Sequence, residues 1–386
     1  MSDFVNFQHI YIHWPFCKKR CHYCDFVALA QHESFFESYH QALCKEIELV
    51  GKSLNSKQAI KTVFLGGGTP SLYPTHMLEE VFKTLNNYFD LSEVQEVTIE
   101  ANPADITEEK LSEWKRFGIN RLSMGVQVLD DEILKKLNRS QTTADVFQAI
   151  EIATKFFDNI SIDLILGLPG ITEKIWHATM QQSVAWAIKH ISVYFLTVYE
   201  KTPLYFKVKK GELKLSADEQ MVLLYSQTID FLEKNNFSQY EISNFAKVGC
   251  ESVHNQAYWD RKPYYGFGLG ASSFDGQKRF TNFNNIETYA RSIVSESKLP
   301  ISFTECLTQQ QVMLEMLMLS LRQKKGLDLH SVLYLLTGTQ KITFNKNIEL
   351  LKSESLLQQD DNRIFLSFKG IVLENEVVLK LSEGLF

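Results

Sequence analysis

The segment Tyr11-Ile-His-Trp-Pro-Phe-Cys17-Lys-Lys-Arg-Cys21-His-Tyr-Cys24-Asp-Phe26 contains three cysteines with the spacing C-x3-C-x2-C. Three thiols this close together indicate a metal site in a reducing compartment rather than a disulfide framework. A [4Fe-4S] cluster has four irons, and a protein normally supplies four cysteines to it. With only three cysteines in the loop, one iron would stay open to another ligand.

Two other interpretations of these cysteines stay open from the spacing alone. They could be buried structural cysteines, or they could bind zinc. Zinc would need a fourth Cys or His at similar spacing, and His22 lies too tightly between Cys21 and Cys24 to serve easily. The remaining cysteines are scattered, which is typical of small apolar fillers: Cys44, Cys250 and Cys306.

Short apolar runs alternate with amphipathic stretches in the first half of the chain. The predicted strands are His9–Ile12, Thr62–Leu65, Glu96–Glu100, Ile119–Met124, Ile160–Leu166 and Ile191–Leu196. The predicted helices between them are 33–50, 75–89, 107–117, 130–137, 143–157 and 173–188. Apolar strands joined by helices predict an α/β fold with a parallel sheet, which right-handed crossovers would curl into a full or partial barrel.

The unusual residues of this region follow the predicted strands. In such folds ligands gather at the carboxyl ends of the strands, which we call the rim. The segments expected at the rim are the cysteine loop, Gly66–Pro70, Glu100, Gln127 and Gly167–Gly170. Taken alone, the glycine run could be a tight turn and Glu100 an exposed charge. Asp163 is more telling, because it lies within an apolar strand, where an unpaired charge is costly.

The composition of the chain limits where the protein could be located and what it could bind. The chain has 386 residues, 45% of them hydrophobic, and 40 Lys+Arg against 46 Asp+Glu. The net charge of -6 offers no basic field for a nucleic-acid partner. The first residues, MSDFVNFQHI, do not have the pattern of a signal peptide, and no run of about 18 apolar residues predicts a membrane span. We therefore expect a cytoplasmic protein.

The pattern changes after about residue 200. A long helix is predicted at 216–235, and an irregular Gly- and aromatic-rich segment at 240–283. Helices at 309–322, 328–336 and 345–353 precede a short strand at 364–368 and a last amphipathic stretch at 372–381. We expect three parts: a barrel with the cofactor sites (1–235), a barrel-closing segment (236–303) and a mostly helical, winged-helix-like domain (304–386).

Together these motifs resemble the radical S-adenosylmethionine (SAM) superfamily, and within it the branch of oxygen-independent coproporphyrinogen III oxidases and HemW-type haem chaperones. The resemblance rests on Tyr11–Phe26, Gly66–Pro70, Glu100, Ser123–Gln127 and Asp163–Pro169 and spans nearly the whole chain. It implies a partial (β/α)6 barrel, with a [4Fe-4S] cluster on the three cysteines. SAM would chelate the open iron through its amino and carboxylate groups, and an electron from the cluster can cleave SAM in such proteins.

The SAM contacts that this resemblance implies are spread over the predicted rim. They fall on Tyr11, Tyr23, Gly67, Gly68, Thr69, Glu100, Gln127, Arg139 and Asp163, and, by a weaker match to the family's positions, on Thr197 and Phe274. No catalytic residue is assigned from the sequence.

Two departures from the oxidases favour the chaperones. The oxidases carry a further cysteine two positions after the third, where this chain has Phe26. They also have a long extension before the cysteines, whereas Cys17 lies near the start of this sequence. Both differences put decarboxylase activity in doubt.

A third feature is the segment His254-Asn-Gln-Ala-Tyr258-Trp259, which matches the HNxxYW motif associated with haem binding in HemW. His254 could offer an imidazole nitrogen to haem iron, and Tyr258 and Trp259 could offer flat aromatic surface. Taken alone, the segment fits a packed aromatic turn with a hydrogen-bonded histidine better, and the resemblance is what favours a role in haem binding. Cys250 is a competing thiolate candidate for the iron.

The resemblance therefore predicts a protein that binds a [4Fe-4S] cluster, SAM and haem. It would deliver haem to acceptor proteins such as membrane-associated respiratory enzymes, and it would need an electron donor for the cluster. The alternative is an oxygen-independent oxidase that decarboxylates coproporphyrinogen III to protoporphyrinogen IX. A radical SAM enzyme acting on nucleic acid is disfavoured by the acidic balance. The oligomeric state stays open, with a dimer as one option.

Overall fold

Strands and helices alternate from His9 onwards in the computed structural model, which describes residues 6–386. The first half contains β1 (His9–Trp14), β2 (Phe16–Cys17), β3 (Leu29–Ala30), α1 (Phe36–Lys52), β4 (Thr62–Gly67), α2 (Thr75–Tyr88), β5 (Glu96–Ala101), α3 (Glu108–Arg116), β6 (Arg121–Gln127), α4 (Asp131–Lys136), α5 (Thr143–Ala153), β7 (Asn159–Leu166), α6 (Glu173–Ala185) and β8 (His190–Phe195). All six strands expected from the sequence are present.

The second half adds shorter strands and a group of helices. It contains α7 (Pro203–Lys209), α8 (Asp218–Lys234), β9 (Ser238–Glu241), β10 (Asn244–Ala246), α9 (Val253–Trp259), β11 (Tyr264–Phe267), β12 (Ser272–Phe274), β13 (Lys278–Asn282), α10 (Ile286–Val294), β14 (Ile301–Cys306), α11 (Gln309–Leu321), β15 (Leu327–Asp328), α12 (His330–Leu333), α13 (Gly338–Ser353), β16 (Leu357–Asp360), β17 (Arg363–Leu366), α14 (Phe368–Val372) and α15 (Glu374–Ser382).

The six strands expected from the sequence form the centre of one twelve-stranded sheet. Its order is β14-β13-β12-β11-β1-β4-β5-β6-β7-β8-β10-β9. From β1 to β8 every neighbouring pair is parallel, as crossovers through helices require. The order runs from β14 at one edge to β9 at the other, so the curved sheet is an open, partial barrel, as predicted.

The expectation of an irregular segment at 240–283 is wrong. The segment contains one helix and strands that extend both edges of the sheet. β11 pairs in parallel with β1, from His9 opposite Tyr264 to Ile12 opposite Phe267. These strands are three to five residues long and are separated by glycines, so their alternation is too brief to be recognised in sequence. The helix α7 was also not predicted.

The two faces of the central strands have different partners. On β6, Leu122 and Met124 are fully buried in the apolar core that the helices cover. Because side chains alternate along a strand, Arg121 and Ser123 face the other side, into the space that the curved sheet encloses. We call this space the lumen. Residues in register with these two on the neighbouring strands share the face, and many are polar: Thr98, Glu100, Asn159, Ser161 and His190.

The C-terminal part has a hydrophobic core of its own. That core gathers residues of α11, α13 and α15 with a three-stranded sheet of order β15-β17-β16. The sheet is antiparallel, and its strands are only two to four residues long. Three helices on a small antiparallel sheet agree with the winged-helix-like character expected from the sequence. The boundaries at 235 and 303 stay a proposal, since β14 continues the barrel sheet to Cys306.

A buried carboxylate ties the added strands to the barrel. Glu46 of α1 accepts hydrogen bonds from the backbone N–H of Gly268 (2.8 Å), from Asn282 Nδ2 (2.7 Å) and from the Tyr289 hydroxyl (2.6 Å). Burial raises the pKa of Glu46 to about 7, against the lowering effect of these three donors. The carboxyl group is therefore held where its protonation changes near neutral pH.

Replacing Glu46 by Gln should remove a pH-dependent part of the stability. Because the pKa of Glu46 is higher in the folded state than in the unfolded state, its contribution to the free energy of unfolding is greatest at low pH. That contribution decreases as the pH rises from about 4.5 to about 7, by at most about 1.4 kcal/mol per pH unit. Urea unfolding at about pH 5 and about pH 7 should show the free-energy difference between wild type and Glu46→Gln shrinking with pH.

The matched control is Glu37→Gln, which changes an exposed carboxylate at the start of the same helix. It should keep the pH dependence of the wild type. A wild-type advantage over Glu46→Gln that stays constant, or grows, between the two pH values would contradict the assignment.

Candidate functional site

The cysteine loop lies at the rim, between β2 and β3. Cys17 ends β2, and Cys21 and Cys24 follow in the loop, all three partly buried. Burial raises the pKa of Cys17 to about 11, and it also raises the pKa of Cys24. The neighbouring cysteines act in the same direction on both, which shows that the three thiols lie within electrostatic reach of one another.

Two polar side chains donate hydrogen bonds to the sulfurs. Thr69 Oγ1 donates to Cys17 Sγ at 3.3 Å, and Arg139 Nη1 donates to Cys21 Sγ at 3.4 Å. Donors of this kind stabilise a thiolate, which is the form that binds a metal. Among residues 6–386, no three His, Cys, Asp or Glu side chains are grouped as a metal-ion site. In a [4Fe-4S] cluster each cysteine binds a different iron, so the thiols need not converge on one point.

The glycine run brings the backbone of β4 against the chain before the cysteines. The N–H of Gly68 donates to the carbonyl of Trp14 at 2.7 Å. A Cβ at Gly68 would lie 2.6 Å from the carbonyl carbon of Pro15, and one at Gly67 would lie 2.5 Å from the His13 ring. Gly67 also has a φ of +110°, which favours glycine. The run is therefore required for packing at the rim, whatever it binds.

Two half-buried carboxylates face the lumen below the glycine run. Glu100 accepts a hydrogen bond from the N–H of Gly67 at 3.2 Å, and Asp163 accepts one from Ser123 Oγ at 3.1 Å. Burial raises the pKa of Glu100 to about 8, and the charge of Asp163 adds to the rise. The pKa of Asp163 is also raised by burial. Such a pair can hold a cationic ligand, which would offset the desolvation of both groups.

Tyr11 is held by a histidine that sequence reasoning missed. His13 Nε2 lies 2.8 Å from the carbonyl oxygen of Val27, to which it donates, and this leaves Nδ1 to accept from the Tyr11 hydroxyl at 3.0 Å. The Tyr11 ring stacks on Phe64, with ring centroids 6.2 Å apart. His13 lies two residues after Tyr11 on β1, so strand alternation could have placed both on the same face.

Arg139 and Gln127 meet through a second residue that was missed, Gln141. Arg139 Nε donates to Gln141 Oε1 at 2.9 Å, and Gln141 Nε2 lies 3.3 Å from Gln127 Oε1. Arg139 Nη2 also donates to the carbonyl of Gly125 at 2.8 Å. Gln127 has a φ of +64°, which is uncommon for a residue other than glycine and occurs often at functional sites. Tyr23 is half-buried beside Arg139.

The two weaker candidates lie apart from this group. Thr197 is exposed just beyond β8, and its side chain makes no hydrogen bond within the described residues. Phe274 is buried in β12, with the guanidinium groups of Arg261 and Arg279 at 5.1 Å and 5.5 Å from its ring centroid. Within the described chain, neither side chain makes a hydrogen bond or a ring contact with the cysteine loop.

The HNxxYW segment forms α9, at the opposite end of the lumen from the cysteines. The carboxylate of Glu96, the first residue of β5, accepts from the Ser252 hydroxyl and from the N–H groups of Val253 and His254 at 2.9–3.2 Å. His254 Nδ1 lies 2.7 Å from the hydroxyl of Thr62, the first residue of β4. Since Glu96 and Thr62 begin their strands, α9 lies at the amino ends of the strands and closes the floor of the lumen.

His254 has both ring nitrogens engaged. Nδ1 is bonded to Thr62, and Nε2 lies 2.8 Å from the Tyr258 hydroxyl. The side chain is 0% exposed, and burial lowers its pKa to about 3, so the imidazole is neutral at physiological pH. In this arrangement His254 would bind iron only after one of these hydrogen bonds has broken.

Trp259 lies on the other side of α9. The Arg322 guanidinium lies 4.9 Å from its ring centroid, and its Nε1 is buried without a hydrogen-bond partner in the described chain. The segment thus has the packed, hydrogen-bonded geometry that was the simpler of the two sequence interpretations. Cys250, the competing candidate, is partly buried four residues before His254.

Comparison with known proteins agrees with the geometry of the rim. The family model of the radical SAM superfamily matches residues 11–182, and that of the HemN C-terminal domain matches residues 307–373. A Bacillus subtilis protein named heme chaperone HemW is 35% identical over 370 residues, covering 95% of this chain and 97% of that protein. This chain belongs to the HemW family of radical SAM proteins.

Other relatives support this membership in the HemW family. The Lactococcus lactis heme chaperone HemW is 31% identical, with 96% of each chain covered. The solved structure of Escherichia coli coproporphyrinogen III oxidase (HemN) superposes with a TM-score of 0.85 over 98% of this chain and 91% of that one. At 23% identity this likeness shows the fold alone. None of the helices between residues 6 and 386 has both the length and the apolar character needed to cross a membrane.

Gly68→Ala should destabilise the fold through the rim. The added methyl group would meet the backbone of Pro15, which cannot move without shifting the cysteine loop. We expect the free energy of unfolding to fall by about 1–3 kcal/mol, the usual cost of overpacking. Denaturant unfolding of the cofactor-free protein measures this directly.

Gly338→Ala is the matched control for this substitution. Gly338 starts α13, and a Cβ there would meet nothing within 4 Å. Stability should stay the same or rise by up to about 1 kcal/mol. Equal stability of Gly68→Ala and the wild type would show that the close approach of the two backbones is not a constraint.

Proposed function

We propose that this protein is a cytoplasmic haem chaperone of the radical SAM superfamily. It holds a [4Fe-4S] cluster and SAM at the rim, binds haem, and passes haem to acceptor proteins such as respiratory enzymes. The observation that carries the proposal is the similarity over 95% of the chain to a relative named heme chaperone HemW. An external electron donor for the cluster is part of the same proposal.

The cluster is proposed to bind to Cys17, Cys21 and Cys24. The residues fit it in two respects. The three thiols share one partly exposed loop, and Thr69 and Arg139 donate hydrogen bonds to two of the sulfurs. When bound, the cluster and SAM supply one-electron chemistry that no side chain can provide.

SAM is proposed to lie between the glycine run and the lumen carboxylates. SAM carries a positive sulfonium, a positive amino group and a carboxylate. The half-buried pair Glu100 and Asp163 complements the positive groups, and Arg139 complements the carboxylate. Tyr11, Tyr23, Gln127 and the backbone of Gly67–Thr69 complete the lining of this site.

The HNxxYW segment is proposed to support haem binding from the floor of the lumen. His254 fixes the Tyr258 hydroxyl, and Glu96 fixes the start of α9. In this proposal His254 positions α9, and it does not ligate the iron. Trp259 contributes apolar surface against Arg322.

One residue of the cysteine loop argues against the alternative function, that of an oxidase. Phe26 stands where the oxidases carry a further cysteine, and its side chain is 68% exposed. An apolar ring at this exposed place offers neither a thiolate nor a proton donor to a substrate. The fold itself does not separate the two functions, because the oxidase superposes over most of the chain.

An anaerobic comparison tests the proposal. Reconstituted protein is given SAM, a reductant and coproporphyrinogen III, and a separate sample is titrated with haem. We expect about one haem per chain and no protoporphyrinogen, because Phe26 replaces the oxidase's extra cysteine. Formation of protoporphyrinogen over many turnovers would establish the oxidase and remove the chaperone proposal.

Two variants in the same titration examine the role of His254. His254→Ala should weaken haem binding while leaving the absorption and electron paramagnetic resonance signature of bound haem unchanged, since the imidazole is not the ligand. His330→Ala changes an exposed histidine and serves as the control. A changed iron ligation signature in His254→Ala would show instead that His254 binds the iron.

A further inference from the structure

The surface around the cysteine loop is basic, although the chain as a whole is acidic. Directly after the first cysteine the loop contributes Lys18, Lys19 and Arg20, all of them exposed. Lys18 is paired with the buried Asp105, so its charge is partly compensated, whereas Lys19 has no ion-pair partner among residues 6–386. Since the net charge of the chain is -6, this local excess does not reflect the average composition.

Two helices bring further lysines to the same place. α4 ends with Lys135 and Lys136, and α7 has Lys207 and Lys209 in its last turn, with Lys210 next in sequence. No carboxylate of the described chain lies within ion-pair distance of these five side chains. A lysine at a helix C-terminus interacts favourably with the helix dipole. That effect does not require both helices to lie against the cysteine loop.

Hydrogen bonds hold both helices against the loop. The N–H of His22 donates to the carbonyl of Leu137 at 3.0 Å, and His22 Nδ1 lies 2.8 Å from the carbonyl oxygen of Lys136. The N–H of Leu204, in the first turn of α7, donates to the carbonyl of His22 at 2.8 Å. Lys207 Nζ lies 3.2 Å from His22 Nδ1. Residues 18–20, 135–136 and 207–210 therefore form one continuous surface, which we call the basic surface.

The acidic side chains of the same segments do not balance these charges. Asp25 lies in the loop, and Glu200 and Glu212 flank α7. Asp131 and Glu132 are in the first turn of α4, at the end of the helix that is away from the loop. The potential at the cysteine loop is therefore positive, and it favours a partner that carries negative charge.

Two exposed aromatic rings give the basic surface a small apolar component. Phe26, two residues after Cys24, is 68% exposed, and Phe206 of α7 is 50% exposed. Complexes between electron-transfer proteins bury small interfaces, and complementary charges bring the partners together. A protein docked here would be separated from the proposed cluster only by the loop that holds it.

We propose that the basic surface docks an acidic electron-donor protein, which reduces the cluster. This rests on the proposed function, which includes an external electron donor, and it names the surface and the charge that recognise that donor. In the step the donor is oxidised by one electron and the cluster is reduced from the 2+ to the 1+ state, with no bond or proton exchanged. An anionic membrane also complements lysines, but the position of the surface around the cysteine loop favours the electron donor.

The test measures reduction of the reconstituted protein by flavodoxin hydroquinone, a small acidic flavoprotein that becomes the semiquinone when it loses one electron. Stopped-flow absorbance gives the rate under anaerobic conditions. Attraction between opposite charges predicts that the wild type is reduced about 10- to 1,000-fold faster at about 0.01 M salt than at about 1 M salt. A rate that does not depend on salt, or no reduction by flavodoxin at all, would overturn the proposal.

Two doubly substituted variants locate the docking site. Lys136→Glu with Lys209→Glu reverses two charges of the basic surface and should slow the reduction about tenfold at low salt, with little effect at high salt. Lys341→Glu with Lys346→Glu reverses two exposed charges of α13 and gives the same net charge, so it is the matched control. The control should keep the wild-type rate to within about twofold. Equal rates of the two variants would contradict the docking site.

A second substitution of the same lysines guards against misfolding. If circular dichroism shows that Lys136→Glu with Lys209→Glu does not fold, Lys136→Gln with Lys209→Gln decides, because it removes the charges without reversing them. Its reduction should depend less on salt than that of the wild type. An unchanged salt dependence would overturn the proposal.

Two further readouts separate docking from damage to the cluster. The affinity for oxidised flavodoxin, measured by isothermal titration, should fall about tenfold in Lys136→Glu with Lys209→Glu. Photoreduced deazaflavin is a small reductant that needs no docking surface, and it should reduce the cluster of this variant as fast as that of the wild type. Equally slowed reduction by deazaflavin would show that the substitutions alter the cluster, and it would overturn the docking assignment.

A last comparison distinguishes a membrane from a protein partner. Sedimentation with vesicles of equal parts phosphatidylcholine and phosphatidylglycerol should not separate Lys136→Glu with Lys209→Glu from its control. Lost vesicle binding in that variant, with unchanged reduction by flavodoxin, would assign the surface to a membrane and overturn the proposal. A wild type that binds haem but is reduced independently of salt removes this inference alone, whereas a wild type that assembles no cluster removes the proposed function with it.

Discussion

The close approach of two backbones at the rim is the contact on which the rest of the site depends. The N–H of Gly68 bonds to the carbonyl of Trp14, and the N–H of Thr69 bonds to the carbonyl of Phe16 at 2.9 Å. Any side chain at Gly68 would collide with the Pro15 backbone, so the two segments meet only because glycine stands there. The contact places Thr69 on Cys17 and fixes the cysteine loop above the lumen.

Below this contact the protein encloses charged groups that lack full compensation. Arg121 is buried in the lumen, Glu100 and Asp163 are half-buried there, and no ion pair joins the carboxylates to the arginine within the described chain. The apolar core between the sheet and the helices supplies the stability that such groups reduce. Local conflicts of this kind are expected at functional sites, where a ligand completes the interactions. Opposite charges in one lumen also suit ligands that carry both signs.

Much of the barrel could be predicted from the sequence, because long apolar strands and amphipathic helices have clear periodicity. The rule that ligands gather at the carboxyl ends of strands also predicts the rim segments from the sequence. Short strands such as β11 could not be predicted, since four residues give too little alternation and their pairing with β1 is set by the fold. Gln141 and His13 could not be predicted as site residues, because neither belongs to a recognisable motif. Each instead forms hydrogen bonds to residues that were predicted: His13 to Tyr11, and Gln141 to Arg139 and Gln127.

The position of the HNxxYW segment could not be inferred from spacing either. Its sequence suits a haem contact. Hydrogen bonds to Glu96 and Thr62, however, hold the segment at the amino ends of the strands, at the opposite end of the lumen from the cysteines. Only tertiary structure shows that His254 has both nitrogens engaged. The motif thus forms the closed end of the lumen, and the opposite end, at the rim, is open to ligands.

The central claim, that this protein passes haem to another protein, is tested most directly by haem transfer. Protein loaded with haem is mixed with membranes from haem-depleted cells that contain respiratory enzymes without their haem, and haem insertion is followed by absorbance and restored oxidase activity. Serum albumin loaded with the same amount of haem is the control. We expect faster and more complete insertion from this protein. Retention of its haem, or transfer no faster than from albumin, would contradict the account.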